Sequence, residues 1–355
     1  MKLANKKYLL TRNMKTLVYS QLALLFLFCG ARSEICYCGL AQRVELGRGE
    51  EERIVGGGKA EVGEFPWFAR LTVNYGNGTE LQRFCGGSLL NTEWVLTACH
   101  CVTNFYLPSD CFEGENKCRL AVNLGDHNSN LTIEAKVVVD SILPETFPDQ
   151  IRLHPGCRAP DGIRRDFALL KLSRKIIWAD HPTIRPICLP SDTTVDYVGR
   201  RAIVAGYGLT KNTFPEPSAP STFLKELEVE VANKTECEKG TDLDNGKPDF
   251  YKYFLCALPT ALLPLPVPVP PLPENQTSCY GDSGGPLVTT RRDGDDGVTP
   301  GQNYELIGVV SFGGRPDPQT ASLSCYNPNY FARVTFALDW IKEVMKDSDP
   351  FCPRQ

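Results

Sequence analysis

The chain has 355 residues, with 42 acidic against 38 basic side chains, a formal net charge of −4 and 15 cysteines. That length allows one large domain or two small ones. Mixed charge without a long Lys/Arg run gives no basic face and so no nucleic-acid partner.

The first element in the chain is apolar. Leu17–Gly30 is short for a bilayer span and follows Lys6, Lys7, Arg12 and Lys15. It reads as a secretory signal peptide over residues 1–33, cleaved after Ser33, with no membrane partner. Met14 offers an internal start that would give a more usual leader length. Removing the leader removes Cys29, and 15 − 1 leaves 14 cysteines, an even number. In an exported chain that predicts a disulfide framework. Four sequons, at Asn77, Asn130, Asn233 and Asn275, agree with a secreted, extracellular glycoprotein.

From Ile54 onward, short apolar or alternating runs are separated by Gly, Pro and Asn. Strands are predicted at Trp67–Val73, Gly87–Leu90, Trp94–Thr97, Lys136–Val139, Phe167–Leu172, Arg201–Ala205, Glu226–Val231, Pro286–Val288 and Glu305–Ser311. That density points to an all-β sandwich or barrel. Only the end reads as helix: in Phe336–Lys346, Leu338, Ile341 and Met345 share one face. Pro264–Pro273 has six prolines in ten residues, which favours an extended polyproline arm on the surface or beside a cleft.

LTACHC, residues 96–101, sets His100 between Cys99 and Cys101. Three consecutive side chains rarely converge on one ion, and zinc sites use wider ligand spacings. In an oxidising compartment both thiols pair, so His100 needs another role. Asp126 and Glu134, eight residues apart in a polar loop, do not make a calcium site by themselves. No metal is predicted.

CYGDSGGPL, residues 279–287, is the most specific stretch, and with LTACHC and RRDFALLKL (164–172) it resembles the chymotrypsin family of serine proteases. The family's triad is the worked example of the general principle, so the following roles are what the resemblance implies. Ser283 would be the nucleophile, His100 the general base and Asp166 the group that orients the imidazole. The backbone N–H groups of Gly281 and Ser283 would form the oxyanion hole. The family usually has alanine where Cys99 stands and an aliphatic residue where Phe167 stands. The fold implied is two antiparallel six-stranded barrels and a C-terminal helix, with a peptidase domain over 54–346 and a tail over 347–355.

Arg53-Ile54-Val55-Gly56-Gly57 resembles the family's activation site. Cleavage after Arg53 would free the Ile54 ammonium to pair with Asp282 and order the oxyanion loop. Residues 34–53 would be a propeptide, tethered by Cys38 (Cys36 is the alternative) to Cys188. The resemblance also implies Cys85–Cys101, Cys237–Cys256 and Cys279–Cys325. Cys36, Cys99, Cys111, Cys118, Cys157 and Cys352 stay open among fifteen connectivities, with a local Cys111–Cys118 bridge and a Cys99 bridge across the active-site rim as working assignments.

Specificity departs from trypsin-like members. Thr277 stands where an aspartate would bind Lys or Arg, and Asn329 replaces a glycine that keeps the pocket deep. Ser311, Phe312 and Gly313 would offer main-chain groups to an extended substrate. The partners implied are protein or peptide substrates, an activating protease and serpin-type inhibitors; no cofactor is implied. The competing reading is an inactive or weak protease homologue that works as a binding or regulatory protein.

Overall fold

The computed structural model describes residues 36–41, 58–74, 80–103, 119–129, 136–138, 150–157, 165–209, 220–238, 249–260, 277–290, 303–313 and 328–354. The leader, Arg53, Ile54, the proline arm, Asn77, Asn130, Asn275, Cys111, Cys118, Glu134 and Cys325 lie outside the described residues.

Fourteen strands are described. In chain order they are β1 (Gly58–Lys59), β2 (Phe68–Asn74), β3 (Glu80–Leu89), β4 (Trp94–Thr97), β5 (Arg119–Leu124), β6 (Lys136–Val138) and β7 (Ile151–Leu153). There follow β8 (Ala168–Lys171), β9 (Arg201–Gly206), β10 (Lys225–Val231), β11 (Phe254–Pro259), β12 (Pro286–Thr290), β13 (Tyr304–Phe312) and β14 (Asn329–Arg333). Helices α1 (Lys234–Glu238), α2 (Phe250–Tyr253) and α3 (Val334–Val344) complete the set.

The strands form two antiparallel sheets. The first runs β6-β5-β2-β3-β4-β8-β7 and is a half-barrel among the described residues. The second runs β1-β10-β11-β14-β13-β12-β9, and the extra β10–β9 pairing closes six of its strands into a barrel. The expected all-β, two-barrel architecture is therefore present, with one barrel closed. Strands β1, β5, β7, β11 and β14 and helices α1 and α2 escaped the sequence pattern. Most are short or buried throughout, so they lack the alternation that marks a half-buried strand. β10 shows that alternation clearly: Lys225, Leu227, Val229 and Val231 are buried and Glu228 is exposed.

α3 starts and ends two residues before the predicted helix, and Leu338 and Ile341 are fully buried. α1 is closed by a reciprocal cap. Glu236 N–H donates to Asn233 Oδ1 at 3.1 Å and Asn233 N–H donates to Glu236 Oε2 at 3.0 Å. Asn233 is exposed, and the cap uses its backbone N–H and Oδ1.

The described parts of the segments expected as propeptide and tail, residues 36–41 and 347–354, are both built into the fold. Cys38 is bonded to Cys188 and Cys36 to Cys352. Tyr304 N–H donates to Gly39 O at 2.8 Å; glycine is required at 39 because φ is 71° and a Cβ would sit 2.2 Å from Tyr304 O. Thr92 Oγ1 and Lys175 Nζ each reach the Asp349 carboxylate at 2.6 Å. Arg354 pairs at 2.7 Å with Glu305, which is 2% exposed and also accepts from Tyr197 Oη at 2.9 Å.

Truncating one partner of a buried pair strands the other charge. Arg354→Ala is accordingly expected to lower stability by about 2 kcal/mol, the cost of an unsatisfied buried acceptor. Lys346→Ala, which breaks an exposed pair, leaves the melting temperature unchanged. Thermal unfolding of the two variants with disulfides intact checks this.

Candidate active site

His100 lies in a single 3-10 turn, Cys99–Val102, directly after β4. Both flanking cysteines are anchored: Cys101 to Cys85 on β3, and Cys99 to Cys157. The ring is thus held from two sides. Cys85 Sγ, Cys101 Sγ and a His100 ring nitrogen lie within 4.8 Å, the one such grouping among the described residues. The two sulfurs are bonded to each other, so neither is a thiolate that a metal could use.

The two departures from the family pattern share one loop. Cys99 bonds Cys157, and the ring of Phe167, fully buried, lies 6.1 Å from that of His154. His154 in turn packs 5.0 Å from Trp340 of α3. His154 N–H donates to Phe167 O and Cys157 N–H to His154 O, both at 3.0 Å.

Asp166 sits just before β8 with its carboxylate buried. Oδ1 accepts the His100 backbone N–H at 2.9 Å, and Oδ2 lies 2.7 Å from His100 Nδ1. Ser311 Oγ donates to Oδ2 at 2.6 Å. Burial pushes this carboxyl up, but the imidazole and the three donors outweigh it, and the group stays below the usual carboxylate range. Ser311 is available because of a bulge. Val310 faces Phe331 and Phe312 faces Tyr330, so Ser311 is the extra residue on β13 and its side chain is re-aimed. Sequence reasoning gave Ser311 only a main-chain role toward substrate, and a single Ser in an apolar run carries no signal for this one.

Ser283 stands in a tight turn ahead of β12. Its carbonyl accepts Gly86 N–H at 2.7 Å, one residue from Cys85, so the serine segment is seated on the histidine's own supports. Gly284 permits the approach: a Cβ there would fall 2.3 Å from Thr97 Oγ1 and 2.5 Å from Gly86 O. Gly281 has φ of 101°, and Asp282 N–H donates to Cys279 O at 3.0 Å. Cys279 is disulfide-bonded to a residue outside those described.

Asp282 turns its carboxylate inward, 1% exposed. Oδ1 accepts Gly208 N–H at 2.7 Å and Oδ2 accepts Cys279 N–H at 2.8 Å. It occupies a cradle where a Cβ on Gly206 or Gly208 would stand 1.9 or 2.3 Å from its oxygens. The sequence carried a signal for this cradle in Gly206-Tyr207-Gly208. Burial raises this carboxyl to about 6, with the two N–H donors pulling the other way.

The expected specificity positions converge. Thr277 is fully buried and Asn329 is 2% exposed. Asn329 Nδ2 donates to Thr277 Oγ1, and Ser278 Oγ donates to Asn329 Oδ1, each at 2.8 Å. Ser278 was missed by the sequence reading. Phe312 stacks on Tyr330 at 5.0 Å, with Gly313 exposed beside it. Asp126 is paired to Arg70 at 2.6 Å. Cys237–Cys256 is formed.

A histidine–carboxylate pair beside a serine turn, between a closed antiparallel barrel and a half-barrel, is the arrangement of a chymotrypsin-like fold. The Trypsin family model matches residues 54–341. Serine protease ea of Drosophila melanogaster is 31% identical over 83% of this chain and 68% of its own length. The proclotting enzyme of Tachypleus tridentatus is 28% identical over 82% of this chain, which spans 66% of that relative. Against serine protease filzig of Drosophila melanogaster the identity is also 28%, but the chain spans only 15% of that protein's length. A solved structure of HL collagenase superposes with a TM-score of 0.55 at 24% identity, covering 83% of this chain and all of that one. The chain belongs to the trypsin family and carries its serine protease domain. Among the described residues, no helix is long and apolar enough to cross a membrane.

Because the Asp282 carboxyl is raised in the fold, the folded state binds its proton more tightly than the unfolded chain does. Its stabilising effect is complete below about pH 4 and is lost as pH rises through about 6. The uncut chain is therefore expected to lose melting temperature across that window, and Asp282→Asn to remove that component of the slope; scanning calorimetry from pH 4 to 7 measures both.

Proposed function

We propose that the chain is a secreted zymogen with a leader over 1–33, a tethered propeptide over 34–53 and a peptidase domain over 54–346 followed by the 347–355 tail, switched on by a protease that cuts after Arg53. The observation that carries the catalytic part is the Asp166–His100 contact at 2.7 Å beside a serine turn bonded to the same scaffold. In this reading His100 Nε2 takes the Ser283 proton as Oγ attacks the substrate carbonyl carbon. Asp166 holds the Nδ1–H tautomer and stabilises the imidazolium. The carbonyl oxygen, now negative, accepts from Gly281 and Ser283 N–H, and return of the proton to the amine breaks the C–N bond. Water then releases the acyl group by the reverse sequence.

Activation follows from Asp282. A carboxylate this buried is costly without a cation, and the two backbone donors compensate only in part. The Ile54 ammonium freed by cleavage supplies the missing charge and orders Gly281 and Ser283. The double disulfide at Cys36 and Cys38 keeps the propeptide attached after the cut. Serpin-type inhibitors, which offer an extended loop to such a cleft, are the expected regulators.

Preference is argued from the pocket floor. Thr277, Ser278 and Asn329 satisfy one another and present no carboxylate, so a buried Lys or Arg side chain would lose several kcal/mol. A small or polar side chain fits better.

A fluorophosphonate probe is expected to label Ser283 after cleavage at Arg53 and not before. Absence of labelling after a verified cut favours the alternative, a binding protein on a protease scaffold. Ser311→Ala, which removes one charged hydrogen bond from Asp166, is expected to lower kcat about 10- to 100-fold. On peptide substrates, Thr277→Asp with Asn329→Gly is expected to raise cleavage after Arg at least about tenfold, the gain from restoring a paired charge.

A further inference from the structure

The residues that follow β7, His154-Pro155-Gly156-Cys157, touch the chain immediately beside both members of the histidine–carboxylate pair. Cys157 is bonded to Cys99, one residue before His100. His154 N–H donates at 3.0 Å to the carbonyl of Phe167, one residue after Asp166. Arg165, one residue before Asp166, donates from Nη1 to Pro155 O at 3.3 Å. Cys157 N–H closes the segment on His154 O at 3.0 Å, with Gly156 at φ of 87° in the turn. These contacts are with the neighbours of His100 and Asp166 and not with the pair itself.

The segment is backed by the terminal helix. The His154 ring lies 5.8 Å from Phe336 and 5.0 Å from Trp340, both on α3, and Phe336 meets Tyr253 of α2 at 4.7 Å. On its other side stands the buried ring of Phe167, at 6.1 Å. Nδ1–H donates to Pro155 O at 2.8 Å, and burial lowers the pKa of the ring, which favours the uncharged form among these aromatic neighbours.

We propose that residues 154–157 are a positioning clamp for the His100–Asp166 contact, with Cys157 and His154 as positioning residues, one for each side of the pair. His100 and Asp166 are 66 residues apart, and their 2.7 Å contact requires two loops to keep a fixed separation. A disulfide and a ring wedged among three aromatic side chains join those loops through one short turn. Hydrogen bonds weaken steeply with misalignment, so slack in that turn reaches the imidazole directly. A disulfide that only constrained the unfolded chain would raise stability and leave the contact unchanged. The catalytic meaning of the clamp rests on the triad of the proposed function.

The test follows the proton between His100 Nδ1 and Asp166 by NMR in the full chain carrying Ser283→Ala, the signal being assigned by its loss in His100→Ala. A sharp downfield signal is expected, exchanging with solvent at least about tenfold faster in the Cys99→Ala, Cys157→Ala double variant and in His154→Ala. His154→Phe, which keeps the ring packing, is expected to restore it. Removing a distant disulfide by Cys36→Ala with Cys352→Ala is expected to lower the melting temperature and leave the signal unchanged. With Ser283 intact and the chain cut after Arg53, the two clamp variants are expected to lose kcat about 10- to 100-fold with KM within about twofold, as for reacting groups held out of line. No downfield signal in the parent, a signal or a kcat untouched in both clamp variants, a loss that His154→Phe shares, or an equal loss without Cys36–Cys352 would each overturn the proposal. A cut parent with the variant-sensitive signal but no turnover supports the clamp and overturns the catalytic reading.

Discussion

The Asp166 carboxylate takes three donors from two distant parts of the chain. His100 contributes its backbone N–H and its ring from the first sheet, and Ser311 contributes its hydroxyl from the second. A carboxylate removed from water tolerates burial only when its oxygens are this fully engaged. Losing any donor therefore disturbs the imidazole and the junction of the two sheets together. The bulge at Ser311 and the two disulfides around His100 make sense as parts of one requirement, which is to bring those donors to one buried point.

Asp282 presents the opposite condition. It is as deeply buried as Asp166, yet its donors among the described residues are two neutral backbone N–H groups, and its carboxyl rises instead of falling. The glycines at 206 and 208 admit the side chain, and a methyl group on either would exclude it. Burial pushes both carboxyls up; at Asp166 the His100 and Ser311 donors outweigh it, and at Asp282 the two backbone N–H groups do not, so the two aspartates are driven apart in proton affinity.

The ends of the described chain behave as parts of the domain. Cys36 and Cys38 reach Cys352 and Cys188, and the final residues bring Asp349 to Lys175 and Arg354 to Glu305. A segment held at two points is fixed to the domain independently of the chain that joins it to β1.

The short motifs around Ser283, His100 and Asp166 were readable from the chain because each is a local turn whose residue types are demanded by local geometry. Glycine is required where φ is positive or backbones touch, and the flanking cysteines pair in an oxidising compartment. The terminal helix and the alternating strand β10 were readable for the same reason: their periodicity is written in consecutive residues. What sequence could not supply was anything decided by approach through space. The Cys99–Cys157 and Cys36–Cys352 pairings, the hydroxyl of Ser311 on Asp166, Ser278 joining Thr277 and Asn329, and Arg70 facing Asp126 all join residues that folding alone makes neighbours. Local chemistry fixed the turns that carry His100, Asp166 and Ser283. The proton affinities of Asp166 and Asp282 and the filling of the pocket were decided by burial and by neighbours distant in sequence, which no short stretch of chain records.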